Sequence, residues 1–386
     1  MRVLKLIIKN VFRHKLRTTL TVLGLAIAVT AFGLIQTAVS SWNSGVEASE
    51  VDRLVTRDAV TIINPLPYSY LEKIKQVPGV KEVTYMNWFG GTYIDQSHFF
   101  ARMAADPNTV FDVYPEYLIS KNELEDFQKE GDACVVGSAL AKEYNFKLGD
   151  MITLDGDIYP GKWQFVVRGI YTPKFKSTDA TQMFFQWNYL NEKVKQDFPT
   201  RGDQVGWYIV RIDNSADASA VSKNIDDLFA NSPAETKTET ERAFQQGFVS
   251  ASSAIVDGMQ YMSFIIVGII MLVLGNTMIM SARERTREYA VFKALGFSAK
   301  HLIGLILGES LFISAIGGAL GIFLTFGAVN GMGDSIPRSF FPVFEVEPKN
   351  LILAVIAVIV VGIAAAVFPI RRALTTRIAD GLRFVG

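Results

Sequence analysis

Four apolar runs, each long enough to cross a bilayer, limit what this chain can fold into more than any other feature. Crossing the hydrocarbon as a helix takes about 20 residues. The runs fall at about Leu20 to Ser40, Ile255 to Met280, Leu302 to Val329 and Leu351 to Ile370. A secretory signal peptide competes for the first run, because basic residues precede it; its length and the lack of a small-x-small cleavage pattern favour a span. The plan that follows has a basic segment over 1–19, spans at 20–41, 255–280, 302–329 and 351–370, and a large domain over 42–254. A loop at 281–301, a short loop at 330–350 and a tail at 371–386 complete it.

Charge placement orients this plan. Arg2, Lys5, Lys9, Arg13, Lys15 and Arg17 precede the first span without an acid. Arg283, Arg285, Arg287, Lys293 and Lys300 lie between the second and third spans, and Arg371, Arg372, Arg377 and Arg383 follow the fourth. These segments are therefore expected in the cytoplasm, and residues 42–254 outside it. Acids outnumber bases in that outer domain, which argues against a nucleic-acid partner. Its single cysteine, Cys134, cannot form an internal disulfide, and A-C-V-V-G around it reads as a buried strand end.

The outer domain reads as α+β. Leu66 to Gln76 is expected as a helix, Val80 to Met86 and Phe99 to Ala104 as strands, and Trp207 to Ile212 with Ala216 to Phe229 as a strand followed by a helix. The texture turns β-rich between about Asp112 and Thr200, with Val135 to Tyr144 as a strand entering a helix and Met151 to Leu154 and Trp163 to Tyr171 as strands. This predicts a split βαβ-type core carrying an inserted lobe over 112–200. From 239 to 260, Phe244, Phe248, Ile255 and Met259 recur on one broad helical face. That face suggests a stalk continuing the second span outward; fraying helix ends are the alternative.

A search for chemistry finds no catalytic constellation. Gly156 to Lys162 satisfies G-x-x-x-x-G-K, yet Trp163 stands where a magnesium-binding hydroxyl belongs, Asp155 and Asp157 would repel phosphate and Pro160 removes a backbone donor. The string reads as a hairpin turn. His14, His98 and His301 fall in separate segments and cannot form a metal cluster with one another, so neither a metal site nor a cofactor is expected in this chain.

The short charged stretch between the second and third spans, R-E-R-T-R-E-Y-A-V-F-K-A-L-G-F-S from Arg283 to Ser298, points to function. Arg283, Arg287, Glu288 and Lys293 offer charge, Tyr289, Val291, Phe292 and Leu295 offer an apolar stripe, and Gly296 marks a helix stop. Such a helix can dock on a soluble partner or simply face lipid headgroups. Arg287, Glu288, Lys293, Ala294, Leu295 and Gly296 match the coupling-helix region of MacB-type ABC transporter permeases, with Tyr289 and Ala290 in place of the usual Ile-Gly. Asn10 to Gly24, Gly308-Glu309-Ser310 with Gly317, Gly318 and Gly321, and Phe368 to Ala373 with Asp380 to Arg383 are similar to other stretches of that family.

The resemblance implies a bacterial inner-membrane subunit with cytoplasmic termini, a periplasmic domain and an amphipathic helix at 1–19 lying along the inner surface. It implies no enzyme in this chain: ATP and magnesium would be bound by a separate cytoplasmic ABC ATPase dimer. The permease would work as a dimer, in contact with membrane lipid, and transmit ATPase closure mechanically to its outer domain. Export or extraction of an amphiphilic substrate, with a periplasmic adaptor and outer-membrane channel, would follow. A lipoprotein-releasing subunit, a cell-division-type regulator of a wall hydrolase and a membrane-anchored receptor without ATPase are the alternatives. Glu309, an acid inside the third span, is either functional or a brace between helices. Gly304, Gly308, Gly317 and Gly321 allow a second helix to approach closely, within one subunit or across a dimer.

Overall fold

The computed structural model describes residues 2–48, 50–175, 177–251, 253–333 and 344–376. Among the described residues four helices are long and apolar enough to cross a membrane: Ile7–Asn43, Ser253–Glu284, Ala299–Met332 and Pro348–Thr375. Each outruns its apolar stretch at one or both ends. Helical hydrogen bonding continues into the flanking polar residues, and the fourth helix runs through Pro369 to Thr375. Residues 334–343 of the loop expected at 330–350, residues 377–386 of the tail, Ser252 and the side chain of Phe248 lie outside the described residues.

The described residues fall into two compact units, one formed by residues up to Ser40 and from Ser253 onward, the other by Ser41 to Ala251. In the membrane unit the first and third helices meet through glycine. A Cβ on Gly308 would stand 2.6 Å from Ile7 Cδ1, one on Gly317 2.5 Å from Leu25 Cδ2, and one on Gly321 2.6 Å from Val29 Cβ and 2.7 Å from the Ala26 carbonyl. Three of the four expected glycines thus serve packing inside one chain, whereas Gly304 faces open space. Thr30 donates to the Gly321 carbonyl at 3.1 Å and Ser310 to the Gly362 carbonyl at 2.6 Å, adding polar contacts between helices.

The domain between the first two spans is α/β with a mixed sheet. Its strands are β1 (Arg53–Asp58), β2 (Leu66–Pro67), β3 (Val80–Trp88), β4 (Gly91–Thr92), β5 (Arg102–Ala105), β6 (Tyr117–Leu118), β7 (Ala133–Gly137), β8 (Met151–Gly156), β9 (Gly161–Pro173), β10 (Met183–Gln186), β11 (Gln204–Val205), β12 (Trp207–Ile212) and β13 (Thr236–Thr240). The main sheet runs β13-β1-β12-β3-β5-β10-β7-β9-β8-β4, with β6 on β9; β10 is parallel to β5 and β7 to β9. Within it β13-β1-β12-β3, with helices Tyr70–Lys75 and Ala218–Phe229, forms a split βαβ core. Alternation sorts β12 between two apolar clusters: Tyr208, Val210 and Ile212 pack with both helices, while Ile209 faces Val110, Phe111 and Val113.

The insertion differs from the one the sequence suggests. It leaves the core after β3 and returns at β12, so it is wider than 112–200; most of its strands continue the core sheet, while β11 pairs with β2 in a separate two-stranded sheet. At the far end of the path β8 pairs with β4, which follows β3 closely in sequence, and Phe89, Phe165, Phe185 and Trp163 share the apolar cluster there. The expected helix at 66–76 shortens to Tyr70–Lys75, because Leu66 and Pro67 pair with β11. The expected strand at 99–104 shifts to Arg102–Ala105. Gly156 to Lys162 lies in the β8–β9 hairpin, where Gly156 opposes Gly161. Cys134 is buried in β7, and burial pushes its thiol well above the ordinary range.

Candidate functional site

The helix of the second span ends at Glu284 and a nine-residue helix, Thr286–Ala294, follows. Arg285 alone separates them. Its N–H donates back to the Ser281 carbonyl at 3.2 Å and its own carbonyl accepts from Tyr289 at 3.0 Å, so the junction is a bend that keeps its hydrogen bonds. Its side chain is buried. Nη1 donates to Glu309 Oε2 at 2.8 Å and Nε to Glu288 Oε2 at 2.9 Å. A guanidinium suits this position because its fixed fork serves two carboxylates at once. Ser281 also donates to Glu309 Oε1, at 3.4 Å.

Glu288 and Glu284 face the N-terminal segment. Arg13 donates to Glu288 Oε1, while Arg17 holds Glu284 through both Nη atoms at 2.9 and 2.5 Å, and His14 Nε2 lies 3.4 Å from the same carboxylate. Spacing of four on each side sets one pair above the other, so 13 to 17 runs against 288 to 284. Burial works to raise the Glu288 carboxyl, but hydrogen bonds from Arg13 and Arg285 outweigh it and hold the group below its ordinary range. Both oxygens of Glu288 thus accept from arginines of its own chain.

The far end of the short helix is fastened differently. Lys293 Nζ donates to the carbonyls of Leu374 at 2.9 Å and Thr376 at 2.8 Å, neutralising the carboxyl end of the fourth long helix. Gly296 stops the helix at φ +84°, with Gly296 N–H on the Lys293 carbonyl, Phe297 N–H on the Phe292 carbonyl and the two phenylalanine rings 5.3 Å apart. This is a Schellman ending with its apolar contact, and the left-handed φ is why glycine stands there.

The apolar stripe divides. Tyr289 is buried and Phe292 half-buried against the membrane unit, with Ala290 buried beside them, whereas Val291 and Leu295 are 40% and 70% exposed. Arg283 and Arg287 are exposed as well. One face of the helix is therefore fixed by Arg285, Tyr289, Ala290 and Lys293, and the other presents Arg287, Val291 and Leu295 at spacings of four.

Arg285, Arg13, Arg17 and Glu284 belong to this site although motif reading passed over them. One signal pointed to a cation here without saying which: an acid inside a span, Glu309, needs an opposite charge nearby. Of the stalk residues, Phe244 is half-buried in the helix Glu241–Ala251 and Ile255 is 57% exposed in the helix Ser253–Glu284.

Residues 18–228 match the MacB-like periplasmic core domain and residues 261–378 the FtsX-like permease C-terminal family. An uncharacterized ABC transporter permease of Methanocaldococcus jannaschii is 26% identical over 344 residues, covering 82% of this chain and 80% of that protein. The uncharacterized ABC transporter permease YvrN of Bacillus subtilis is 22% identical over 412 residues, covering 97% and 98%. The periplasmic region of MacB from Actinobacillus actinomycetemcomitans superposes with a TM-score of 0.39 at 14% identity, over 53% of this chain and 95% of that one.

Proposed function

The chain belongs to the MacB-like periplasmic core domain family, carries an FtsX-like C-terminal part and is an ABC transporter permease, and on that premise we propose that it passes the stroke of a separate cytoplasmic ATPase to its outer domain. The observation that carries this reading is the division of the helix Thr286–Ala294 into a fastened face and an exposed one. Arg287, Val291 and Leu295 offer a partner apolar contact and charge, while Arg285 and Lys293 tie the same helix to the third and fourth long helices. A push on the exposed face is delivered to spans through short ionic contacts, with no flexible linker between.

In this reading ATP and magnesium are bound by the partner, two permeases work together, and the termini lie in the cytoplasm of a bacterial inner membrane. The stalk around Phe244, Phe248 and Ile255 carries the movement outward, and the substrate is amphiphilic, exported or extracted with the help of an adaptor and an outer-membrane channel. The test is capture of the ATPase in mild detergent, identified by mass spectrometry. Wild type should retain it, and Val291→Glu and Leu295→Glu should lose it with unchanged melting temperatures, because both side chains are exposed. Capture of no ATPase, or equal capture by both variants, would overturn the proposal.

A further inference from the structure

Both peptide connections of the outer domain converge on one guanidinium. β1 opens at Arg53, three residues after Glu50, and the β1–β13 register, with Leu54 opposite Thr240, sets Arg53 across from Glu241, the first residue of the helix Glu241–Ala251. Arg53 Nε donates to Glu241 Oε2 at 2.8 Å. Its Nη1 lies 2.7 Å from Glu116 Oε1 and 3.4 Å from the Val113 carbonyl, and its plane sits 4.4 Å from the centre of the Tyr114 ring. The Glu50 N–H donates to the same Glu241 oxygen at 3.3 Å, and the Tyr114 hydroxyl donates to the other at 3.4 Å. The incoming chain, the outgoing helix and a loop of the insertion are tied through side chains only 3%, 9% and 10% exposed.

Stability alone does not call for such a cluster. Two carboxylates share one cation, Glu116 Oε2 has no hydrogen-bond partner among the described residues, and desolvating three charges consumes much of what their attraction returns. Large apolar clusters already cover both faces of the neighbouring sheet. Ion pairs of this kind select one geometry, and the geometry selected here is that of the two segments through which any movement must enter the outer domain. We infer that Arg53 is a positioning residue, a rigid joint that makes the segment at Glu50 and the helix starting at Glu241 move as one body with the outer sheet. The inference rests on the reading of the outer domain as a part moved by the ATPase. A joint free to swivel would absorb the stroke instead of delivering it.

Hydrogen exchange on the full-length protein tests the joint without ATP. Arg53→Met/Glu116→Gln/Glu241→Gln removes the three charges together and leaves none buried alone. Amides at 245–247 should then exchange roughly tenfold faster or more, with β3, β9 and β12 unchanged. Arg53→Cys/Glu241→Cys/Glu116→Gln places cysteines one step beyond the Leu54–Thr240 pairing, where a disulfide would tie β1 to the start of the helix Glu241–Ala251. Oxidation should restore wild-type protection, and reduction should remove it. With the partner ATPase present, the ATP-driven change in distance between labels at Ile63 and Asp257 should vanish in the neutral variant and return in the oxidised one, at unchanged hydrolysis. Unaltered exchange in the neutral variant overturns the joint, as does a wild-type distance change in that variant. Faster exchange in a protein whose wild type shows no ATP-driven change supports the joint and overturns the mechanical reading of the transporter instead.

Discussion

Arg285 and Glu309 meet at 2.8 Å with side chains 7% and 6% exposed, one at the bend before the helix Thr286–Ala294 and the other inside the third long helix. Removing one partner strands a buried charge, which costs about 3–5 kcal/mol, whereas removing both for apolar groups is often close to neutral. Arg285→Met and Glu309→Leu should each lower the melting temperature of the detergent-solubilised protein, and the double variant should recover most of the loss. If the double variant is as unstable as the sum of the singles, the two residues are not a pair.

The ladder of Arg13 on Glu288 and Arg17 on Glu284 leads to a charge-exchange experiment. Glu288→Lys sets a cation between Arg13 and Arg285, so the N-terminal segment should detach from the short helix and ATPase coupling should fall. Arg13→Glu combined with Glu288→Arg restores opposite signs across the gap and should recover part of that coupling. Coupling measured as hydrolysis that responds to the permease checks this, and a swap no better than Glu288→Lys alone would falsify the ladder's role.

Glycine contacts between the first and third long helices separate tolerated from forbidden positions. Gly317→Ala puts a methyl 2.5 Å from Leu25 Cδ2 and should destabilise by about 1–3 kcal/mol. Leu25→Ala should relieve it. Gly304→Ala meets nothing within 4 Å and should be neutral or slightly stabilising, as for alanine in any open helix position. Thermal unfolding of the three variants decides the matter.

Acid should reveal the cluster around Arg53. Burial raises the Glu241 carboxyl above its ordinary value, an effect that Arg53 only partly offsets. The folded protein therefore takes up this proton at a higher pH than the unfolded chain does. Ionised Glu241 costs stability, fully above its folded value, and the cost disappears as pH falls through that value toward the ordinary carboxylate range. The melting temperature of wild type minus that of Glu241→Gln should accordingly rise on acidification through that window. A difference that falls or stays flat would contradict the raised value.

Local patterns made part of this molecule readable in advance. The spans were legible because length and apolarity suffice to define them, and the strand at Trp207–Ile212 because its alternate residues face two apolar layers. Gly296 was legible because only a left-handed position before a new helix asks for glycine there. The strands at Arg53–Asp58 and Thr236–Thr240 escaped, since their residues are largely polar or charged and become strands only where a neighbour completes their hydrogen bonds.

What the sequence determined by itself was the set of elements whose cause lies within a few residues: four long apolar helices, a charged helix between two of them, and a domain large enough to bury its own core. Which charge meets which was decided by the tertiary structure alone. Arg285 and Arg287 stand two residues apart on one short stretch, yet Arg285 is buried between Glu288 and Glu309 and Arg287 is exposed. Nothing local distinguishes them. The difference comes from the bend at Arg285 and from the passage of the third long helix beside it, because a buried charge is tolerated only where folding brings an opposite charge within hydrogen-bonding distance.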